Sequence, residues 1–214
     1  MEAISRTELA PLFAKLRDVF VAKRNELIDL DGKVGDSDLG ITMNKAFVAA
    51  YESVAANATD PLGRTIQLAG MAVAKAAPST MGTLVATGFM RAGKALESAS
   101  AIGSAELALF WGAFLNGVVE RGKAKPGDKT IVDVLARLAE SAKASAESGA
   151  SFHQALERAA AAAEEGLAAT REMIAQHGKA ACFQEKTLGL QDAGATVGVL
   201  IAEAMRDFVA AQGK

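Results

Sequence analysis

Cysteine occurs once, at Cys182, so the chain can form no internal disulfide and offers no second thiolate for a cysteine metal motif. Neither charge sign is in clear excess: 23 basic residues against 25 acidic ones leave a formal charge of -2. That balance provides no broad positive field for a nucleic-acid backbone. A long hydrophobic run is also missing. The most apolar stretch, Leu107 to Val119, spans about thirteen residues and includes Asn116, short of the roughly 20 needed to cross a bilayer, and reads as a core helix. The opening MEAISRTELA lacks the basic-then-apolar layout of a signal peptide, which makes the cytoplasm the expected compartment. Aromatics are only 5% of the chain, and glycine and proline fall mostly between apolar periodic segments. With few large rings and much alanine, the composition favours helix packed closely on helix.

What is present supports an all-α chain. At 214 residues and 50% hydrophobic, it can bury a substantial core, and a single domain over residues 1–214 is the expectation. Leu9, Phe13, Leu16 and Phe20 recur at helical spacing and predict a first helix from Thr7 to Leu30, with Pro11 in its first turn. A polar loop from Asp31 to Gly40 follows, then a second helix carrying Met43, Phe47, Val48 and Tyr51. Asp60 and Pro61 predict the cap and first position of a third helix ending near Ala77. A fourth covers Leu84 to Glu97, and a fifth, Ala105 to Arg121; both read as deeply buried. Asp128 is the expected cap of a sixth helix bearing Ile131, Leu135 and Leu138 and ended by Gly149. Ser151 and Gln154 form a capping-box pair opening a seventh, which runs past a close-packing face at Ala159 to Ala163 as far as His177. Ala195 to Ala211 makes an eighth. Eight helices without a convincing strand predict a closed antiparallel bundle.

The most informative segment is Leu30-Asp31-Gly32-Lys33-Val34-Gly35-Asp36-Ser37-Asp38-Leu39-Gly40. Three carboxylates brought together would repel one another unless a cation lay between them. Magnesium suits so short an aspartate loop because it takes oxygen ligands, keeps waters and completes its shell with phosphate. Spacing alone also allows a solvated turn in which the aspartates cap the following helix. A calcium EF-hand is excluded, because the twelfth loop position, counted from Asp31 or from Asp36, falls on Thr42 or Phe47 rather than on a carboxylate.

Three further loops carry chemistry. Gly122-Lys123-Ala124-Lys125-Pro126-Gly127-Asp128-Lys129-Thr130 nearly spells a phosphate loop, but Asp128 interrupts it and a helix precedes it where a strand is required. Either a basic turn or a cover over a nucleotide fits. Pro78-Ser79-Thr80-Met81-Gly82 puts hydroxyls and N–H groups before a helix, as an N-cap or as an anion site. Gln191-Asp192-Ala193-Gly194-Ala195-Thr196 again puts Asp and Gly before a helix. His153 and His177, both expected on the seventh helix, read as surface or packing residues, and Cys182 reads as an ordinary one.

Taken in order, these loops resemble the L subunit, or nucleotide-binding domain, of the dihydroxyacetone kinase family. The firmest points are L-D-x-x-x-G-D-x-D-x-G at Leu30 to Gly40, R-G-K-A-x-P-G-D-K-T at Arg121 to Thr130, and D-x-G-A-T at Asp192 to Thr196. The resemblance spans nearly the whole chain and implies an eight-helix antiparallel barrel. It implies that Asp31, Asp36 and Asp38 coordinate two magnesium ions bridging the phosphates of ADP or ATP. It places Leu39, Gly40, Ile41 and Thr42 against the nucleotide, Ser79 and Thr80 at its phosphates, and Gly122 and Ile131 over its base. Lys179 stands where the family usually has Arg, and Asp192, Ala193 and Gly194 match its last contacting loop. The chain departs from the family at Leu39 (often His), Ser37 (often Gly), Ala193 (often Pro) and across Pro78 to Leu84.

The implied partner is a K-type subunit that binds a ketose covalently through histidine, so the expected activity is phosphoryl transfer that needs that partner. The donor is exchangeable ATP, or retained ADP rephosphorylated by a phosphotransferase-system protein. Oligomeric state stays open, a homodimer included. A nucleotide-sensing regulatory module of the same fold without turnover is the alternative.

Overall fold

The computed structural model describes residues 1–212, so the last two positions of the expected domain 1–214 lie outside the described residues. Among the described residues there are nine α-helices: α1 (Arg6–Ala22), α2 (Arg24–Asp31), α3 (Leu39–Ala56), α4 (Leu62–Ala76), α5 (Thr80–Ala95), α6 (Ser104–Gly122), α7 (Ile131–Glu147), α8 (Phe152–Ala169) and α9 (Ala193–Gln212). The all-α expectation holds, with one helix more than the eight read from sequence.

The extra helix arises because the stretch from Thr7 to Leu30 is broken at Lys23, whose ψ of 2° interrupts the helix. The break lets α2 fold against the start of α3. The two backbones approach so closely that a Cβ on Gly40 would lie 2.0 Å from the Arg24 carbonyl oxygen. At the other end of α1, the Glu8 carboxylate accepts the Ser5 N–H at 2.7 Å and starts the helix at Arg6. Pro11 therefore falls in the second turn, not the first. Ile4–Ser5 (β1) and Ala101–Ile102 (β2) form a two-residue antiparallel pair, Ile4 opposite Ile102, too short to leave an alternating pattern in the sequence.

Other boundaries shift for local reasons. Pro61 itself caps α4, and the Asp60 side chain takes no part. Ser79 caps α5, its hydroxyl accepting the Gly82 N–H at 3.0 Å, so that helix begins four residues before the expected Leu84. The cap of α7 is Thr130 rather than Asp128, with the hydroxyl accepting from Val132. Gly149, with φ of +67°, follows the end of α7, and the Ser151–Gln154 capping pair opens α8 as read. α8 stops at Ala169, eight residues before His177, because Thr170 is drawn into contacts with distant residues described below.

The helices close into a ring. α3 packs on α1, each later helix packs on its predecessor through α9, and α9 returns to α1, with α2 against α3 and α9. Short connections make successive helices from α3 to α8 antiparallel, and the starts of α3, α5, α7 and α9 meet at one end. Inside, Phe89 of α5 meets Phe13 of α1, Phe47 of α3, and Phe110 and Phe114 of α6. Phe20 stacks on Phe47 at 3.9 Å between centroids. The scarce aromatics are thus concentrated where helices converge. The other half of the ring is closed by small residues, among them the buried Ala142, Ala155, Ala159 and Ala163. α6 is buried on one face only, since Leu109 is 54% exposed. No helix among the described residues is long and apolar enough to cross a membrane.

A reciprocal backbone contact joins α4 and α5. A Cβ on Gly63 would stand 2.5 Å from the Gly93 carbonyl oxygen, and the reverse contact is also 2.5 Å. Both partners are backbone, so neither can rotate away. Gly93→Ala is expected to lower stability by about 2 kcal/mol through forced separation of the two helices, measured by urea unfolding; an unchanged midpoint would show that the pair can slide apart freely.

Candidate functional site

The acidic loop begins where α2 ends. Asp31 is the last residue of α2, and its Oδ2 accepts the N–H groups of Asp38 at 2.9 Å and Leu39 at 3.3 Å. One oxygen of Asp31 is therefore committed to the start of α3 and the loop is bent back on itself. The bend needs Gly35, where a Cβ would lie 2.2 Å from Asp31 Oδ1. It also holds Ser37 at a φ of +62°, a left-handed conformation that glycine adopts at less cost. In consequence, one carboxylate oxygen from each of Asp31, Asp36 and Asp38 lies within 4.8 Å of the other two. The aspartates converge rather than splaying into solvent. Asp36 is additionally ion-paired with Lys179, which is 143 residues distant in sequence.

These carboxylates stand at the rim of a cavity of about 440 Å3. Its walls include the starts of α3 (Leu39), α5 (Ser79, Thr80), α7 (Thr130, Ile131) and α9 (Ala193, Gly194). A helix start presents unpaired N–H groups and the positive end of the helix dipole. Four such starts around one cavity, faced by a carboxylate cluster, can hold an anion through the former and a cation through the latter.

The remaining wall comes from the segment between α8 and α9, and Lys129 fixes its course. The Lys129 side chain is buried, and Nζ donates to the carbonyls of Thr170 at 2.6 Å, Thr187 at 2.7 Å and Leu190 at 2.6 Å. Three donors are available only to the protonated amine. Burial pushes the Lys129 ammonium below its ordinary value, opposed in part by the nearby Asp192 carboxylate. With all three donors engaged, Lys129 is unavailable to phosphate. The preceding loop is held by Asp133, which accepts from Gly127 at 2.6 Å and Thr130 at 2.7 Å. Asp128 accepts the Lys125 N–H at 2.9 Å and pairs with His177 Nε2 at 2.9 Å. The Lys125 N–H, followed by the His177 contact, holds the Asp128 carboxyl below its usual range. His177 is therefore not on a helix but in the cavity wall, followed by Gly178 and Lys179.

Of the residues singled out from sequence, Asp31, Asp36, Asp38, Leu39, Ser79, Thr80, Ile131, Lys179, Asp192, Ala193 and Gly194 all line the cavity. Gly40, Ile41, Thr42 and Gly122 do not. Gly40 is consumed by the α2 contact, and Ile41 is 38% exposed. Gly122 sits behind Leu84, whose side chain forms the wall in front of it. Sequence reasoning passed over Met81, Leu84, Thr130 and His177, all of which line the cavity. Met81 and Thr130 lie inside the quoted loop motifs and Leu84 two residues beyond one, so those motifs already pointed to all three. His177 depended on knowing where α8 ends.

Residues 33–207 match the model of the DAK2 domain. The chain belongs to the DAK2 domain family. Within it the chain is of the dihydroxyacetone kinase L-subunit type: it is 34% identical over 194 residues to the PEP-dependent dihydroxyacetone kinase, ADP-binding subunit DhaL, of Escherichia coli K12, covering 91% of this chain and 92% of the relative. An L-erythrulose kinase from Pectobacterium atrosepticum is 32% identical over 195 residues, 88% of this chain, but this chain spans only 32% of that protein's length. The crystal structure of the dihydroxyacetone kinase from C. freundii in complex with AMP-PNP and Mg2+ shares the fold. The TM-score is 0.69 at 22% identity, covering 93% of this chain and 33% of the kinase.

The matched part of the DAK2 domain begins two residues after Asp31 and takes in Asp36, Asp38 and every other wall of the cavity. At its floor, the Asp192 carboxylate accepts the Ala195 N–H at 2.7 Å. Surrounding protein pushes that carboxyl up to about 6, against the pull of the Ala195 N–H and Lys129. The folded state then holds this proton more tightly than the unfolded chain does. Its stability declines as pH rises from about 4, the unfolded carboxyl range, through about 6, and levels off above. Asp192→Asn should remove this component, so its urea midpoint should gain on the parent's over that window; parallel pH profiles would refute the assignment. Lys129→Met should destabilise the DAK2 domain by about 3 kcal/mol or more, since three buried carbonyls lose their donor, and loss of hydrogen-exchange protection should concentrate in residues 170–190.

Proposed function

We propose that this chain, acting as one domain, is the nucleotide-holding L subunit of a dihydroxyacetone-kinase-type phosphotransferase. The observation that carries the reading is the convergence of Asp31, Asp36 and Asp38 within 4.8 Å at the mouth of a cavity walled by four helix starts. The donor set fits magnesium. It is all oxygen and anionic, one Asp31 oxygen is already locked by backbone N–H groups, and the open cavity leaves room for water and phosphate. Two ions are proposed, in keeping with a polyphosphate that needs neutralising at more than one point.

In this reading the aspartates hold magnesium, which supplies charge neutralisation of the polyphosphate of ADP or ATP. Ser79 and Thr80 at the start of α5 receive phosphate oxygens, Ile131 and Leu39 provide apolar wall, and Asp192 to Gly194 close the floor. Lys179 contributes a point charge where an arginine would offer a planar fork. No side chain in the cavity is needed as a nucleophile, because phosphoryl transfer depends chiefly on positioning and electrostatics. The acceptor, dihydroxyacetone or a related short ketose, is proposed to sit on a separate K-type subunit in the cytoplasm, with ATP or a phosphotransferase-system protein replenishing the donor. Support comes from the similarity to an ADP-binding subunit along nearly its whole length.

Calorimetry with Mg-ADP and Mg-ATP tests the reading. The double variant Asp36→Ala, Asp38→Ala should weaken binding on the order of 100-fold, through loss of two of three metal ligands. Undiminished affinity would remove the central support. Binding that persists with no sugar phosphate formed when a K-type subunit and dihydroxyacetone are supplied would favour the regulatory module.

A further inference from the structure

Lys179 occupies two roles that cannot be filled at once. It lines the cavity, where the proposed polyphosphate lies, and its ammonium is paired with Asp36, one of the three clustered carboxylates. The pairing is not imposed by sequence proximity, since the partners are 143 residues apart. It depends on the course of the segment between α8 and α9, pinned by Lys129 at Thr170 before Lys179 and at Thr187 and Leu190 after it. Gly178, at a φ of +65°, turns the chain so that Lys179 begins the 3-10 segment Lys179–Thr187, which is kinked at Gln184. The anchors are buried while the Lys179 side chain is 64% exposed, so the side chain is free to swing although its backbone is fixed.

Electrostatics gives the pairing a purpose. Three carboxylates within 4.8 Å carry three negative charges when ionised, and one ammonium reduces the net charge of the group to minus two. A divalent cation takes over that neutralisation more completely, at shorter range and with direct oxygen ligation. Once Asp36 ligates a metal, its attraction for the ammonium falls, while a polyphosphate in the cavity offers a new and stronger acceptor.

Resting on the reading above, we infer that Lys179 is an exchangeable counter-ion: it neutralises Asp36 before the metal arrives, is displaced by the metal, and is handed to the phosphates of the nucleotide. The same side chain therefore opposes binding of the metal alone and favours binding of the metal-nucleotide complex. A residue that only touched phosphate would do the second without the first.

The exchange makes a prediction of opposite signs. In calorimetric titrations with Mn2+ alone, Lys179→Met should bind the ion about 2- to 5-fold more tightly than the parent, the range for losing an exposed ion pair that competes with it. In titrations with Mg-ADP the same variant should bind about 10-fold more weakly, through loss of a charge-assisted contact to phosphate. Lys179→Arg should restore both affinities towards those of the parent, because it preserves the charge. Lys33, in the acidic loop but without an ion pair among the described residues, supplies the control for the general field of a nearby cation. Lys33→Met should raise Mn2+ affinity less than Lys179→Met does.

Unchanged or weaker Mn2+ binding by Lys179→Met, or a gain no larger than that of Lys33→Met, overturns the exchange while leaving the nucleotide site intact. Tighter Mn2+ binding without any loss of Mg-ADP affinity overturns the hand-over to phosphate. A parent protein that binds neither Mn2+ nor Mg-ADP overturns the site itself and the exchange with it.

Discussion

The arrangement depends most on one buried ammonium. Lys129 sits just before α7 and gathers three carbonyls from the long return from α8 to α9, which is built of short 3-10 turns and loops. Each carbonyl would be costly to leave unpaired in the interior, and only a protonated lysine has donors for all three. Desolvation of the charge works against this, but the three acceptors and the nearby Asp192 supply the compensation. The result is a fixed path for residues 170–190, which decides where α8 stops, where His177 and Lys179 stand, and how α9 begins. Without that clasp the cavity would lack one wall.

The site gathers two kinds of charge from a chain that is nearly neutral overall. The positive contribution is mostly backbone, from the starts of α3, α5, α7 and α9, which an antiparallel ring brings to the same end without requiring lysines or arginines. The negative contribution is concentrated in a single loop whose geometry is set by Asp31 bonding back to the head of α3. Separating the signs in this way leaves a polar cleft with room for a cation beside an anion, and it explains why net composition carries no trace of the site.

The parts legible in sequence were those governed by local rules. Helical periodicity identified the helices, because each must bury an apolar face in a shared core. The aspartate loop was legible because three like charges at one bend repel one another unless a cation lies among them, and the structure does bring them together. The misplacements share a different cause. Nothing local tells the chain to stop α8 at Ala169; the signal is the claim of Lys129 on Thr170, 41 residues away. Lys129 itself read as one more basic residue in a basic loop, since burial of a lysine cannot be seen without its distant acceptors. The break at Lys23 likewise comes from the approach of α2 to Gly40, and not from a helix-breaking residue.

Helix direction also has an architectural consequence. α9 leaves the cavity and runs for 20 residues, about 30 Å at the rise of an α-helix. β1 is tied to the connection between α5 and α6, at the far side of the ring from the start of α5. Both ends of the described fold therefore emerge on the face remote from the cavity mouth. A tether attached at either extremity would leave the opening unobstructed, which makes such a unit suited to modular fusion as well as to life as a separate polypeptide.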